Sequence, residues 1–445
     1  MKNILLCDNA MVIGGVETVI LNQITAFTQK GYNVYVAAGN GVYASKVEEL
    51  GGHFIECDFP EENEVNVERV NNIVKIIKEK EITEIHIHKY QCILSVMPAA
   101  LITGIPYFAY EHGIRDTKQY YTWNYPIYKI MFPLFFMNAY KVIAITPKVV
   151  EFTQKEYNIP KEKYKIIHNG IDFHAYKNEM PKYEGMITKT LIVSRINDEK
   201  LETIFEGIDV FKKLLEKYPN AELNIIGGGN SEDKLEQFLK NKELEYTKNM
   251  EKQAKVKILG EQNDVIKYLR HADLLLGVDR CALEAIAMKV PVVITGYNGL
   301  KGLITKENID LAIEENFSGD NMRTINIDDC INQILELEKN RKSIVEENYD
   351  IAKEKLDCFK NYINIEEENI RIKFDWIQLF QMIKKSTDLI EEQSADIKAK
   401  YEWIQKIEKD NEELVEKNKE IEEISKEKEE KLKEKNEELK NCLLY

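Results

Sequence analysis

The feature that most constrains this chain is an alternation of apolar strands and helices that begins, stops and begins again. Residues 1–175 contain strand-like segments such as "NILLCD", "NVYVAAG" and "KVIAIT", with helical segments between them. After a polar stretch with Pro181 and Gly185, the alternation restarts with "TLIVSRI", "AELNIIGGG" and "ADLLLGV". Such alternation is typical of parallel sheets covered on both faces. The sequence therefore predicts two doubly wound α/β domains, over residues 1–180 and 181–345.

The last hundred residues have a different composition. The chain has 445 residues, of which 31% are charged, and most of this excess of Glu and Lys follows residue 345. Ile383, Ile390, Ile397 and Ile404 recur every seven residues, a period that predicts a coiled coil over 373–445. Closing helices are predicted over 346–372. A coiled coil would allow a homodimer, and a long single charged helix is the alternative.

Composition excludes several classes of partner and site. No basic stripe accompanies the net charge of −15, so nucleic acid is not expected as a partner. The seven cysteines form no C-x-x-C pair, which argues against a disulfide framework or a zinc site. No metal and no cofactor are predicted. The sequence begins directly with a strand-like segment instead of a signal peptide, and we expect a cytoplasmic protein.

The most apolar stretch, residues 127–140, is interrupted by Lys129, Pro133 and Asn138 and is too short to span a bilayer. Two interpretations stay open for it. It is a buried helix that covers the first sheet, or it docks peripherally on the inner face of the plasma membrane near a lipid-linked acceptor.

Three glycine-bearing or helix-opening turns follow predicted strands. Gly14 and Gly15 follow the first strand, Gly227 and Gly228 follow a strand of the second domain, and "GVDRCALEA" leads into a helix with Glu284. Helix N-termini at strand ends favour anionic ligands. None of the three matches G-x-G-x-x-G or a P-loop. Each alone is an ordinary turn; together they suggest a phosphorylated ligand between the domains.

Two cations lie near the start of the second predicted domain. Arg195 directly follows its first strand, and Lys200 lies five residues later near the start of a helix. An Arg fork and a Lys point charge suit a diphosphate. Two ordinary surface cations are the alternative.

In order along the chain, these motifs resemble those of the retaining, GT-B-fold glycosyltransferases of the large family-four group. The matching segments are "GGVE", "HNGID" at 168–172, "SRINDEK", "IIGGG" and "LEAIAMKVPVV". The resemblance covers roughly residues 1–370. It implies two Rossmann-like domains that face a cleft, with a UDP-sugar or GDP-sugar as donor.

The resemblance also implies roles for single residues. Arg195 and Lys200 would stabilise the departing diphosphate, and Glu284 would accept hydrogen bonds from the ribose hydroxyls. His112 would lie near the reacting sugar, with Glu111 beside it on the acceptor side. The full implied donor set consists of Gly14, Gly15, Asn169, Gly227, Gly228, Asp279, Arg280 and Glu284.

One departure from the family pattern concerns the sugar. The family has two glutamates with seven residues between them, and counting back from Glu284 gives Leu276 in an apolar strand. The first carboxylate is therefore missing. Asp279 replaces it only if the loop bends differently.

The leading hypothesis is a metal-independent hexosyltransferase that extends a cell-surface glycan, such as lipopolysaccharide or capsule, or a lipid-linked acceptor. A nucleotide-sugar epimerase of the same fold is the second. A degenerate transferase that acts as a coiled-coil scaffold is the third.

Overall fold

The computed structural model describes residues 2–61, 64–114, 127–179, 181, 183–248, 252–262 and 264–363, with isolated positions after residue 405. The chain divides into two compact units, Met1–Phe374 and Asp375–Tyr445. The predicted coiled coil, the heptad isoleucines and the end of the predicted closing helices lie outside the described residues.

The first domain is built on a seven-stranded sheet. Its strands are β1 (Asn3–Ala10), β2 (Asn33–Gly39), β3 (His53–Glu56), β4 (Glu84–Ile87), β5 (Tyr107–Glu111), β6 (Lys141–Ala144) and β7 (Tyr164–Ile166). Their order is β3-β2-β1-β4-β5-β6-β7, and every neighbouring pair is parallel. Leu5 and Cys7 of β1 enter one core cluster, whereas Ile4 and Leu6 enter another on the opposite face. Both faces of the sheet are therefore covered.

The second domain repeats this plan. Its strands are β8 (Lys189–Val193), β9 (Glu222–Ile226), β10 (Tyr246–Thr247), β11 (Val256–Ile258), β12 (Leu274–Gly277), β13 (Val292–Ile294) and β14 (Gly302–Leu303). The order is β10-β11-β9-β8-β12-β13-β14, with only the β13–β14 pair antiparallel among these. The prediction of two parallel-sheet α/β domains is confirmed.

Helices connect the strands and cover the sheets. They are α1 (Gly15–Gln29), α2 (Ala44–Glu49), α3 (Val67–Glu79), α4 (Ile93–Thr103), α5 (Ile127–Asn138), α6 (Pro147–Tyr157), α7 (Asp198–Leu214), α8 (Glu232–Asn241), α9 (Ile266–Leu269), α10 (Arg280–Ala287), α11 (Ile309–Glu314), α12 (Ile327–Leu356) and α13 (Cys358–Ile363). Asn66, Thr146 and Asn326 cap α3, α6 and α12 by accepting a backbone N–H with the side chain. Such caps satisfy N–H groups that a helix start leaves unbonded.

Most of the apolar segment 127–140 forms α5, which lies in the first domain and ends at Asn138. Tyr128, Phe132 and Phe136 are buried in the core that also contains residues of β1 and β4. This supports the interpretation as a buried covering helix; peripheral membrane contact stays a prediction. Within the described ranges, no helix combines the length and apolar character needed to cross a bilayer.

One helix crosses the predicted boundary at residue 345. Helix α12 runs through residue 345, where the second domain was predicted to end, and its one non-helical residue is Asn340. Beyond it, α13 packs against α1 of the first domain. Cys358 and Tyr362 are buried in the first domain's core cluster. The chain thus returns to the domain from which it started.

Candidate active site

The loop between β12 and α10 lies at the carboxyl end of the second sheet. It contains Asp279, one of the predicted donor residues. Leu276 lies in the buried strand β12, so no carboxylate stands where the family's first glutamate is expected. Asp279 follows with φ of 58° and ψ of −137°, a left-handed conformation that side chains rarely adopt. Its backbone N–H donates to the Phe317 carbonyl over 3.0 Å. The loop therefore bends sharply at Asp279.

Lys200 and Asp279 are in direct contact. Lys200 lies in the first turn of α7, and its Nζ is 2.5 Å from Asp279 Oδ2. The Tyr297 hydroxyl donates to the same oxygen over 2.6 Å, and Lys200 Nζ lies 4.5 Å from the Tyr297 ring centroid. Three side chains from distant parts of the sequence thus form one polar cluster at the sheet edge.

Arg195 differs from Lys200 in its surroundings. It is exposed two residues beyond β8, and within the described part of the chain it forms no ion pair. The two predicted cations therefore differ: Lys200 forms an ion pair with Asp279, whereas Arg195 forms none with the described residues.

Glu284 is held in place by two donors on one oxygen. Its Oε1 accepts hydrogen bonds from the Tyr176 hydroxyl at 3.0 Å and from Arg280 Nε at 3.2 Å. Its Oε2 accepts none from the residues that the structure describes. Burial raises the pKa of Tyr176 well above its usual value, and the charge of Glu284 raises it further. One oxygen anchors the carboxylate while the other stays available.

The carboxylate of Glu284 also acts electrostatically on the first domain. Tyr43, between β2 and α2, has a raised pKa, caused first by burial and then by the negative charge of Glu284. Arg280 lowers that pKa. The Arg280 guanidinium itself points to the interdomain segment, where Nη1 donates to the Gly170 carbonyl. The two domains therefore meet at this end of α10.

On the first domain, the two predicted glycines are not equivalent. A Cβ at Gly14 would lie 2.1 Å from Glu17 Oε2, whereas one at Gly15 would meet no atom within 4 Å. Glu17 is buried, and its Oε1 accepts from Lys89 Nζ over 3.1 Å. Gly15 therefore borders open space, and Gly14 packs against the buried carboxylate of a partly buried ion pair.

Sequence reasoning missed Asp8, a fully buried carboxyl in β1. Its Oδ1 accepts the Asn9 backbone N–H over 2.7 Å, and its Oδ2 has no partner in the described structure. Burial raises the pKa of Asp8 to about 7; the charge of Lys89 lowers it and that of Glu17 raises it. The available signal was an acidic residue inside the apolar segment "NILLCDNA".

His112 contacts a second histidine. Its Nε2 lies 3.0 Å from Nδ1 of His88, which is buried and stacked on Tyr110. Burial, with the neighbouring His112, lowers the pKa of His88 well below its usual value, so this imidazole is neutral near pH 7.

Glu111 is buried in β5, so its predicted acceptor contact would require a group that reaches into the interior. No three His, Cys, Asp or Glu side chains are grouped like metal ligands in the described ranges.

The remaining predicted donor residues have contacts within the chain. A Cβ at Gly227 would lie 1.8 Å from the Ser194 carbonyl oxygen, and one at Gly228 would lie 3.0 Å from Glu261 Cγ. The Asn169 amide donates to Asn316 Oδ1 over 3.1 Å. Packing alone thus explains Gly227, and ligand contact by these three residues stays a prediction.

Two family models match the chain. The one described as Glycosyltransferase Family 4 matches residues 13–174, and the one described as Glycosyl transferases group 1 matches residues 188–335. The second match begins one residue before β8. Each match therefore contains the strands of one sheet, except that β1 precedes the first match.

Individual proteins are similar as well. An uncharacterized glycosyltransferase of Methanocaldococcus jannaschii is 25% identical over 256 residues, which are 52% of this chain and 59% of that protein. The chain therefore spans less than two thirds of this relative's length.

Among solved structures, Anabaena HepE in complex with UDP and glucose matches with a TM-score of 0.59 and 16% identity, over 82% of this chain and 98% of that one. The lipopolysaccharide outer core galactosyltransferase WaaB matches with a TM-score of 0.51 and 17% identity, over 82% and 98%. At such identities, the likeness shows the fold alone. The chain therefore has the two-sheet fold of GT-B glycosyltransferases, with a domain that matches Glycosyltransferase Family 4 followed by one that matches Glycosyl transferases group 1.

Proposed function

We propose that the protein transfers a hexose from a nucleoside-diphosphate sugar to a glycan or lipid-linked acceptor, with retention of anomeric configuration. UDP-sugars are the first donors to test, because HepE was solved with UDP and glucose. A cell-surface glycan is the favoured acceptor, since WaaB is a lipopolysaccharide galactosyltransferase. Action in the cytoplasm and dimerisation through the tail remain part of the proposal.

The observation that carries this proposal is the placement of a cation at the start of α10 and of a carboxylate in its second turn. Lys200 contacts Asp279 at the start of α10, and Glu284 lies on the same helix with one oxygen free. Positions 279 and 284 are about 7.5 Å apart along the axis of α10, because an α-helix rises about 1.5 Å per residue. A nucleoside diphosphate spans such a distance between its ribose hydroxyls and its phosphates. Glu284 would bind the ribose, and Lys200 would bind the diphosphate.

The charge balance of the reaction supports a role for the second predicted cation, Arg195. Cleavage of the bond to the sugar leaves negative charge on the diphosphate, which fixed donors and cations stabilise best when they are aimed at it beforehand. Arg195 is exposed and unpaired within the described residues, so its guanidinium is available to the phosphates. The sequence contains no D-x-D pair, and the proposal includes no metal. His112 would face the sugar, and Gly15 would leave room for it.

Donor binding followed by transfer tests this function. Titration calorimetry with UDP-glucose and GDP-mannose measures binding, and release of UDP or GDP with a glycan acceptor measures transfer. We expect Glu284→Gln and Arg195→Ala each to weaken donor binding at least about tenfold, the effect of one lost charge-assisted bond. Glu179→Gln, at an exposed carboxylate paired with Lys177, is the matched control. A folded protein that binds neither donor at millimolar concentration contradicts the proposal, and a donor isomer formed without acceptor identifies an epimerase.

A further inference from the structure

The proposed function assigns the Lys200 ammonium to the donor phosphates, but this ammonium already forms an ion pair with Asp279. Asp279 Oδ2 lies 2.5 Å from Lys200 Nζ, and the side chains are only 28% and 16% exposed. A partly buried ion pair is screened less by salt than an exposed one. A diphosphate that binds Lys200 must therefore compete with a carboxylate that belongs to the protein.

The carboxylate is held in this position at a conformational cost. Asp279 has φ of 58° and ψ of −137°, a backbone conformation that is strained for any residue with a side chain. The Tyr297 hydroxyl and the backbone bond to Phe317 hold the residue, in addition to Lys200. The chain thus keeps a negative charge beside Lys200 where glycine would be the unstrained choice.

This charge acts differently on donor and product. In a sugar donor, each phosphate of the diphosphate carries one negative charge. Once the sugar has left, the terminal phosphate gains a second ionisable oxygen, which is largely ionised at neutral pH as in a phosphate monoester. A fixed carboxylate nearby therefore repels the product more strongly than the donor.

We propose that Asp279 is a built-in counter-ion of Lys200, which weakens binding of the released nucleoside diphosphate more than binding of the sugar donor and thereby promotes product release. This assignment rests on the proposed function and extends it, because it concerns the step after transfer. It differs from the role of a sugar ligand, in which Asp279 would strengthen donor binding.

Calorimetric titration with UDP and with UDP-glucose separates these roles; GDP and GDP-mannose replace them if the uridine pair does not bind. Asp279→Asn keeps the size of the side chain and a partner for Tyr297 but removes the charge. We expect it to tighten UDP about tenfold and UDP-glucose no more than about threefold. Asp310→Asn is the matched control: Asp310 pairs with Lys355 on the surface, and both affinities should stay as in the native protein.

The result that overturns the inference is an affinity for UDP that is unchanged or weaker in Asp279→Asn. If UDP-glucose alone weakens, Asp279 is a ligand of the sugar. A second variant, Tyr297→Phe, keeps the carboxylate and should leave the ratio of the two affinities unchanged; a tenfold change in the ratio there would also contradict the counter-ion role. If the native protein binds none of the four nucleotides, the proposed function fails, and the inference fails with it.

Discussion

Arg280 Nη1 donates a hydrogen bond of 2.6 Å to the carbonyl oxygen of Gly170. Arg280 begins α10 in the second domain, and Gly170 lies in the segment that leaves the first. The same carbonyl accepts from the Asn22 amide of α1 over 3.1 Å, and the Gly170 N–H donates to the Tyr362 hydroxyl over 3.2 Å. The backbone of one residue, Gly170, therefore joins both domains and the returning helix α13, next to the carboxylate of Glu284.

Replacement of Arg280 should affect stability and donor binding together. Arg280→Met removes the bonds to Gly170 and Glu284, and loss of hydrogen bonds to a charged group costs about 2–3 kcal/mol of unfolding free energy. Donor affinity should fall as well, because Glu284 keeps only Tyr176 as an anchor. Chemical denaturation and calorimetry measure the two effects. Lys306→Met removes an exposed ion pair with Glu347 and should cost less than about 1 kcal/mol. Equal costs for the two variants would contradict the role of Arg280.

Tyr176→Phe tests the anchoring of Glu284 with a smaller change. The variant removes one hydroxyl that donates to Oε1, and we expect donor affinity to fall about three- to tenfold. Tyr183→Phe is the matched control, since the Tyr183 hydroxyl also donates to a glutamate, Glu346, on the second domain. A loss of affinity in both variants, or in neither, would show that the Tyr176 hydroxyl does not position the carboxylate.

Asp8→Asn should stabilise the protein above neutral pH. Burial raises the folded-state pKa of Asp8 from 3.8 to about 7, so the native state binds more protons than the unfolded state between these values. Stability contributed by the protonated carboxyl is therefore lost as pH rises toward 7. Asparagine stays neutral, and the gain should reach a few kcal/mol at pH 8, with an upper value of about 4, and shrink toward pH 4.

Thermal unfolding at pH 5 and pH 8 measures this difference. Asp58→Asn, at an exposed aspartate of the same domain, provides the control and should show no such pH-dependent gain. An equal effect of the substitution at both pH values would mean that Asp8 is already ionised at pH 5 in the folded protein, and would contradict the raised pKa.

Gly227→Ala should destabilise the protein more than Gly104→Ala. Both glycines have positive φ, at 136° and 70°, but a Cβ at Gly104 meets nothing within 4 Å. Strain alone should cost about 1–2 kcal/mol at Gly104. At Gly227 the contact with the Ser194 carbonyl forces the loops after β8 and β9 apart, which adds to that cost. Urea unfolding of the two variants measures the difference, and similar midpoints would contradict the packing explanation.

Local patterns predicted the sheets because strand and helix periodicities are contained in short windows of sequence. They placed Leu276 in a strand and Glu284 on a helix, and the structure confirms both positions. The contacts that build the site are not local. Lys200 and Asp279 are 79 residues apart, and Arg280 and Gly170 are 110 apart. No periodicity encodes such pairs.

The position at which α12 ends also depends on residues far away in the sequence. A charged, amphipathic pattern continues through residue 345, so the sequence offered a change of composition but no end of a helix. The break lies at Asp357, where Ile171 forms a bridge with the chain between α12 and α13. Tertiary contact, and not a local signal, ends α12.

The return of α13 sets the order in which the protein can complete its folding. Cys358 and Tyr362 belong to the core cluster of the first domain, with Ile4 and Leu6 of its first strand. At about 5–20 residues per second, a ribosome needs roughly 10–40 s to advance from β7 to the end of α13. During synthesis, the first domain must wait for that interval with part of its core uncovered. A nascent chain therefore exposes this part of the first domain's core from the completion of its first sheet until α13 emerges.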